Sequence, residues 1–453
     1  MGTDRRVATV ILGAGGRDFH VFNLLFRNDP HSEVVAFAAA QIPGLAGRTY
    51  PPELAGPLYP RGIPIVAEHA LEELARSCPV DRVIFAYSDV SHLEVMHAAS
   101  RALALGADFL LVGPRASMLS SRRPVVAVTA MRTGCGKSQV ARHLARGFAD
   151  RGQGIAVVRH PMAYGDLLAR RVLRFAHPAE LDRTDLTLEE REELEPHLEA
   201  GDLVFVGVDQ AAVLAAAEAE ADLLLWDGGN NDFPMIRPDL LVCLADALRP
   251  GQAAAFHPGE ACLRMADIVV IAKADLVPDA RVDAIAAEVR ALNPRACLHR
   301  AASRLRADRP PEELAGRRVL VLEDGPSLTH GGLPTGAGFA FARAAGARIL
   351  DPRPFAVPPL DRLWADYPHL GPVLPAVGYD AAQRSALART IAAADPEVLV
   401  VATPVDAARV LGLGRPCVRV RTEHVDLDEP GLLARVEEML ARACPASAAA
   451  ARS

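Results

Sequence analysis

An apolar run from Val125 to Ala130 enters the stretch MRTGCGKSQVARHLARGF, in which Gly134 and Gly136 are followed at once by Lys137 and Ser138. A strand that turns through glycines into a helix opening on Lys-Ser is the build of a phosphate-binding P-loop. Backbone N–H groups and the helix dipole cradle phosphate oxygens there. Lys137 is expected to reach the β and γ phosphates, and the Ser138 hydroxyl to ligate Mg²⁺. Val140, Leu144 and Phe148 recur four apart, so the following helix has one apolar face. The consensus glycine is replaced by Met131, a departure that leaves Gly136-Lys137-Ser138 intact. Gly134, Cys135, Gly136, Lys137, Ser138 and Gln139 are therefore the expected nucleotide-binding set.

Two strings downstream fit the same site. LLLWDGGNND ends an apolar strand at Asp227, an acidic residue placed to hold Mg²⁺ together with Ser138. Gly228 and Gly229 leave room for a γ phosphate, and Asp232 is a second acidic candidate. IVVIAKAD resembles the NKxD element of GTP-binding proteins, with Lys273 expected to pack over a base and Asp275 to accept from it. Ala272 stands where that element has Asn, so the choice between ATP and GTP stays open.

A chain of 453 residues exceeds one hydrophobic core. Short Val/Ile/Leu runs alternate with helical patterns almost throughout, which predicts an α/β protein with parallel sheets. Residues 1–122 read as a Rossmann-like domain with strands at Val7–Leu12, Glu33–Phe37, Val83–Tyr87 and Asp108–Val112. Residues 123–302 read as the P-loop NTPase domain, adding strands at Ile155–Arg159, Leu203–Val206, Leu223–Asp227, Leu240–Leu244 and Ile268–Lys273. Its end near Ala302 is set by the polar, turn-rich stretch Arg304–Pro311. Residues 303–445 read as a smaller α/β domain with strands at Val319–Glu323, Arg348–Leu350, Val398–Ala402 and Val418–Arg421, and 446–453 as a frayed tail. In the first domain Gly13, Gly15 and Gly16 make a partial G-x-G-x-x-G with Asp18 at the third glycine position. No acidic residue follows the second strand, which disfavours an NAD site and leaves phosphate binding or packing for that loop.

The net charge of −7 argues against nucleic acid as a partner. Seven scattered cysteines without a CxxC, a polar N-terminus and the lack of a membrane-length apolar run place the chain in the cytoplasm. Arg and His recur beside Gly and Pro at strand ends, where open α/β sheets bind ligands. These are Arg159-His160-Pro161, Tyr164-Gly165-Asp166, Arg170 and Arg171, Arg249-Pro250-Gly251, His257 to Glu260, Glu323-Asp324-Gly325 and Thr329 to Gly332, a pattern suited to an anionic substrate. LTLEEREELEPHLEAG, residues 186–201, reads as a solvated acidic helix.

Taken together, GAGGRDFHVFN, FAYSDVSH, RTGCGKSQ, RHPMAYGDL, WDGGNNDFP, RMADIVVI, EDGPSLTHGG and YPHLGPVLPAVGY resemble the cyclic 2,3-diphosphoglycerate synthetase family over nearly the whole chain. The resemblance implies an ATP-dependent ligase that closes an intramolecular phosphoanhydride in 2,3-bisphosphoglycerate, releasing ADP and phosphate. It implies Lys137 and Asp227 in the chemistry, with Mg²⁺ on Ser138 and Asp227. Arg159 and His160, assisted by Arg17 or Arg249, are expected to clamp the bisphosphoglycerate. A homodimer is expected by analogy. The alternatives are a regulatory or maturation GTPase acting on a protein partner, and the same scaffold acting on another phosphorylated acid.

Overall fold

The computed structural model describes residues 5–40, 47–160, 165–229, 232–329, 331–378 and 381–444. Tyr164, His330 and the 446–453 tail, singled out in the sequence, lie outside them. The fold is α/β with mostly parallel sheets. A six-stranded sheet gathers the amino-terminal strands around Val7–Leu12, which pairs in parallel with Ser32–Ala39 on one side and Arg82–Phe85 on the other. These strands are Val/Ile/Leu/Phe-rich because helices cover both faces.

The second sheet has thirteen strands and runs from Leu173–Phe175 to Arg348–Ile349. At its centre lies the P-loop strand, Val125–Ala130, fully buried between Leu223–Asp227 and Leu240–Asp246. Leu223–Asp227 pairs in turn with Ile155–Arg159, which sets Asp227 beside both Val128 and Arg159. A central strand so enclosed cannot be polar on either face, which is why VVAVTA carries no charge.

Cys297–Ala307 is an eleven-residue strand that runs through Ala302, where the polar sequence had suggested an end. Its first half pairs in parallel with Ile268–Ala272, and its second half pairs antiparallel with Cys417–Asp426 from Ala301↔Asp426 to Ala307↔Val420. Cys417–Asp426 then pairs in parallel with Val398–Ala402. Strands of the middle and carboxy-terminal stretches thus form one continuous hydrogen-bonded surface. The exposed halves of these two strands carry Arg and Glu, including the Arg306–Glu423 pair at 2.9 Å, so their period-two pattern is polar.

The acidic stretch is helical over Leu188–Glu199 and opens on a capping box between Thr187 and Glu190. Contrary to the solvated face expected, Glu189, Glu190, Glu192, Glu195 and His197 are all buried. Donors from distant segments meet these carboxylates: Thr403 Oγ1 donates to Glu192 at 2.7 Å and the Asp406 amide to Glu195 at 2.9 Å. Arg170 pairs with Glu190 and Arg159 with Glu193. A buried charge is tolerated when it is paired, and those pairings are tertiary, so helical periodicity does not reveal them.

Among the described residues no helix is long and apolar enough to cross a membrane. The P-loop helix, Lys137–Ala149, buries Val140, Leu144 and Phe148 against the central strands, and Gly147 admits Leu433 of the final helix, Leu432–Ala443. Leu144→Ala should therefore lower the unfolding free energy by about 2–5 kcal/mol. Arg146→Ala, on the exposed face, should change it by less than about 0.5 kcal/mol, both read from urea denaturation.

Candidate functional site

The P-loop is held from three directions. Gly134 and Gly136 have φ of +84° and +103°, a region closed to most side chains, and the helix begins at Lys137. From the amino-terminal stretch, Asp89 accepts from Arg132 Nε at 2.7 Å and from the Thr133 amide at 3.0 Å. The Arg132 guanidinium also lies 3.5 Å above the Phe256 ring. From the strand after next, Lys273 Nζ donates to the Gly134 carbonyl at 2.8 Å and to Asp246 at 2.6 Å. A Cβ placed on Gly134 would meet Leu333 at 3.3 Å and Ser327 Oγ at 3.5 Å, both from the carboxy-terminal stretch.

Several expected nucleotide contacts look different in this setting. The Lys273 ammonium binds the loop carbonyl and Asp246 rather than standing over a base, and Asp275 is exposed. Gln139 Nε2 is hydrogen-bonded to Ser303 Oγ at 2.7 Å, and the fully buried Cys135 thiol is pushed up to about 11 by burial. Their side chains serve packing, while the loop amides keep the geometry of an anion cradle. Arg249 is a sharper feature. It is 7% exposed, its Nη1 and Nη2 are buried without a hydrogen-bond partner, and Nη2 would stand 3.3 Å from a Cβ on Gly134. Among the described residues its ion pair is through Nε, to Asp246 at 3.6 Å.

Asp227 is completely buried and bonded to Arg159, with His197 Nε2 at 3.1 Å. Burial alone would raise its carboxyl, but Arg159, His197 and Lys137 more than offset that and hold it at about 2. Burial lowers Lys137 below the usual ammonium range, against the pull of Asp227. The second carboxylate oxygen, Asp227 Oδ1, is buried with no hydrogen-bond partner. That orphaned oxygen and the half-buried Ser138 hydroxyl in the first helical turn are hard oxygen donors, and they fit Mg²⁺. His197 escaped sequence reasoning: it sits in the helix read as solvated, steered onto Asp227 by Asp202 at 2.7 Å from its Nδ1. Nothing local in the sequence signals it.

Arg159 and His160 are not free substrate clamps. Arg159 is 1% exposed and locked between Asp227 and Glu193. His160 is lowered to about 3 by burial and by Arg159 and Arg17, so its ring is neutral at pH 7. It faces Asp232 at 3.5 Å, and Arg17 of the amino-terminal segment faces Asp232 at the same distance. Arg171 pairs with Asp209 away from this cluster. Glu323 accepts from the Gly336, Gly338 and Phe339 amides and so caps the helix Ala337–Ala344. The amino-terminal glycine loop is filled from within. The Asp18 carboxylate accepts from the Gly15, Gly16 and Phe19 amides at 2.6 to 3.1 Å, occupying the place an anion would take.

Beside Arg159 opens a small cleft, with a cavity volume of about 30 Å³. Arg159, His160 and Arg170 stand on its wall with Glu190 and Glu193, and Leu173, Leu186, Leu194, Val206 and Val208 supply an aliphatic surface. Charges of both signs converge there on a short apolar strip.

No family model matches the chain. It is 49% identical over 439 residues to the arginine synthetase ArcE of Thermococcus kodakarensis, which spans 97% of this chain and 98% of that one. It is 32% identical over 120 residues to a cyclic 2,3-diphosphoglycerate synthetase of Thermococcus gammatolerans, 26% of each chain. The resemblance expected over nearly the whole chain is thus matched over about a quarter of it for that enzyme, while the full-length likeness is to ArcE. Among solved structures, LpxK from Aquifex aeolicus in complex with ATP is similar at 13% identity and a TM-score of 0.42, covering 77% of this chain and 95% of that one.

Asp232 gives a direct check of this geometry. Burial raises its carboxyl from 3.8 to about 7 against the pull of Arg17. A carboxyl raised in the fold contributes stability below its unfolded value, and that contribution is lost as pH rises through about 7. Asp232→Asn should therefore gain stability relative to the parent between pH 5 and pH 8 in urea denaturation. A difference that stays flat across that range would contradict the buried environment.

Proposed function

We propose that this chain, which belongs to the family of the arginine synthetase ArcE, is an ATP-dependent ligase that builds the guanidinium of arginine from a ureido amino acid and ammonia. The 49% identity over 97% of the chain carries this reading. The cleft agrees in kind, since its Arg159–Glu193 and Arg170–Glu190 pairs lie beside an aliphatic strip.

The chemistry follows from the product. Arginine differs from its ureido counterpart, citrulline, by nitrogen in place of the ureido oxygen, and that oxygen is a poor leaving group. Its attack on the γ phosphorus of ATP forms a P–O bond and releases ADP. Ammonia then adds to the carbon, and the C–O bond breaks with its electron pair leaving on phosphate, which takes the proton that ammonia gives up. Each step is mainly positioning and charge neutralisation. The P-loop amides and Lys137 hold the β and γ phosphates. Ser138 Oγ and Asp227 Oδ1 would hold Mg²⁺, which when bound neutralises charge on those phosphates. Arg249, whose terminal nitrogens lack partners beside Gly134, donates to the γ phosphoryl as charge moves onto the β–γ bridging oxygen.

Formation of cyclic 2,3-diphosphoglycerate is the second reading, favoured by the 120-residue match. One set of incubations separates the two. The purified chain with Mg²⁺ and ATP, then GTP, receives either citrulline with ¹⁵N-ammonia or 2,3-bisphosphoglycerate, with Lys137→Ala as control. The expected result is ¹⁵N-arginine, one ADP per arginine, lost in the control. A new phosphoanhydride signal in phosphorus NMR without arginine would replace the first reading by the second. Nucleotide hydrolysis indifferent to both substrates would overturn both and favour a GTPase with a protein partner. Arg249→Ala should lower kcat by about 10²–10³-fold, with nucleotide affinity by calorimetry changed only a few-fold.

A further inference from the structure

Beside the P-loop helix, four side chains converge that the proposed reaction does not use. Strand register brings them together. In the antiparallel pairing of Cys297–Ala307 with Cys417–Asp426, Ser303 stands opposite His424 and Ala301 opposite Asp426. Residues two apart on a strand share a face, so His299 and Ser303 project on the same side as His424 and Asp426. Gln139 of the P-loop helix bonds Ser303 on that side at 2.7 Å, and His143 follows one helical turn later.

The resulting geometry is not that of a closed hydrogen-bond network. Asp426 Oδ1 accepts from His299 Nε2 at 2.7 Å and from His424 Nε2 at 2.8 Å. Asp426 Oδ2 faces His143 Nε2 at 3.9 Å, too far for a hydrogen bond, and His143 Nε2 is buried with no hydrogen-bond partner. The His143 and His424 rings lie 4.5 Å apart between centroids. One ligand atom from each of His143, His424 and Asp426 falls within 4.8 Å of the others. Donors around a tetrahedral zinc stand roughly 3.4 Å apart, given bonds of about 2.0–2.2 Å. A cation among the three needs only a modest contraction of the cluster, and it takes the place of the proton His424 now donates to Asp426.

We propose that His143, His424 and Asp426 bind one divalent transition-metal ion of zinc type, with His299 holding the Asp426 carboxylate in orientation. Two imidazoles and one carboxylate select zinc, cobalt or nickel over magnesium, so this site is chemically distinct from the oxygen donors Ser138 and Asp227. The ion joins the P-loop helix to the strand pair that connects the middle and carboxy-terminal stretches. The inference is independent of which substrate the cleft takes.

The test uses the full chain, stripped with EDTA, given Zn²⁺ in the presence of excess Mg²⁺ and passed through gel filtration before elemental analysis. Co²⁺ is titrated in parallel for the visible absorption of a nitrogen-ligated tetrahedral ion. One zinc per chain at micromolar concentration is expected, retained in Lys137→Ala and in His97→Gln, an exposed histidine elsewhere. His143→Gln, at a half-exposed helix position, and His424→Gln should abolish stoichiometric retention with the circular dichroism of the parent kept. His299→Ala should weaken it by about 10–100-fold. Failure of the parent to retain zinc at micromolar levels, or equal retention in His143→Gln, would overturn the proposal.

Discussion

The buried pair between Asp227 and Arg159 is the interaction on which the centre of this molecule depends. Both side chains lie inside the sheet's covered surface, where a lone charge is expensive, and each is tolerated only because the other is there. The pair in turn fixes its neighbours. Arg159 reaches Glu193 and so brings the acidic helix against the sheet, and Asp227 draws His197 of that same helix and lowers the energy of an ammonium at Lys137. The P-loop, the cleft and the acidic helix are therefore one electrostatic unit. Removing either member would leave an uncompensated charge with several other charges arranged around it.

Much of the fold was legible because burial and backbone pairing leave a local trace. Val125–Ala130, Ile155–Arg159, Leu203–Val206, Leu223–Asp227 and Val398–Ala402 are apolar runs whose bounds coincide with the strands. What failed to show locally were elements whose character comes from distant partners. Arg304–Pro311 reads as polar and turn-rich because that half of the strand Cys297–Ala307 is exposed and charged, yet a second charged strand pairs with it. The helix at Leu188–Glu199 looks solvated because its donors, Thr403, Asp406, Arg159 and Arg170, lie elsewhere in the chain.

The site divides along the same line. Gly134, Gly136, Lys137 and Ser138 announce themselves by spacing, because the loop's geometry is a property of consecutive residues. Arg249 carried only a weak signal and His197 none, since an arginine before Pro-Gly or a histidine in an acidic helix is common in sequence. Their significance lies in missing or acquired partners, which only the folded chain reveals. The amino-terminal glycine loop is the converse case. Its glycines suggest an anion site, but the side chain three residues from the first of its donor amides supplies the anion. A glycine pattern reports the shape of a backbone, and the identity of what fills it has to be read from the neighbouring residues.

The continuous ladder from Ala301↔Asp426 to Ala307↔Val420 has a mechanical consequence. Enzymes with separate lobes often close on a substrate by rotating one about a hinge. Here such a rotation between the middle and carboxy-terminal stretches would tear a register of seven consecutive residue pairs. Opening and closing over the P-loop must then come from the short segments laid on it, those of Asp89, Ser327 and Leu333, moving over a frame that stays fixed. The large sheet acts as an anvil, and any movement over the phosphate site is left to the loops laid on it.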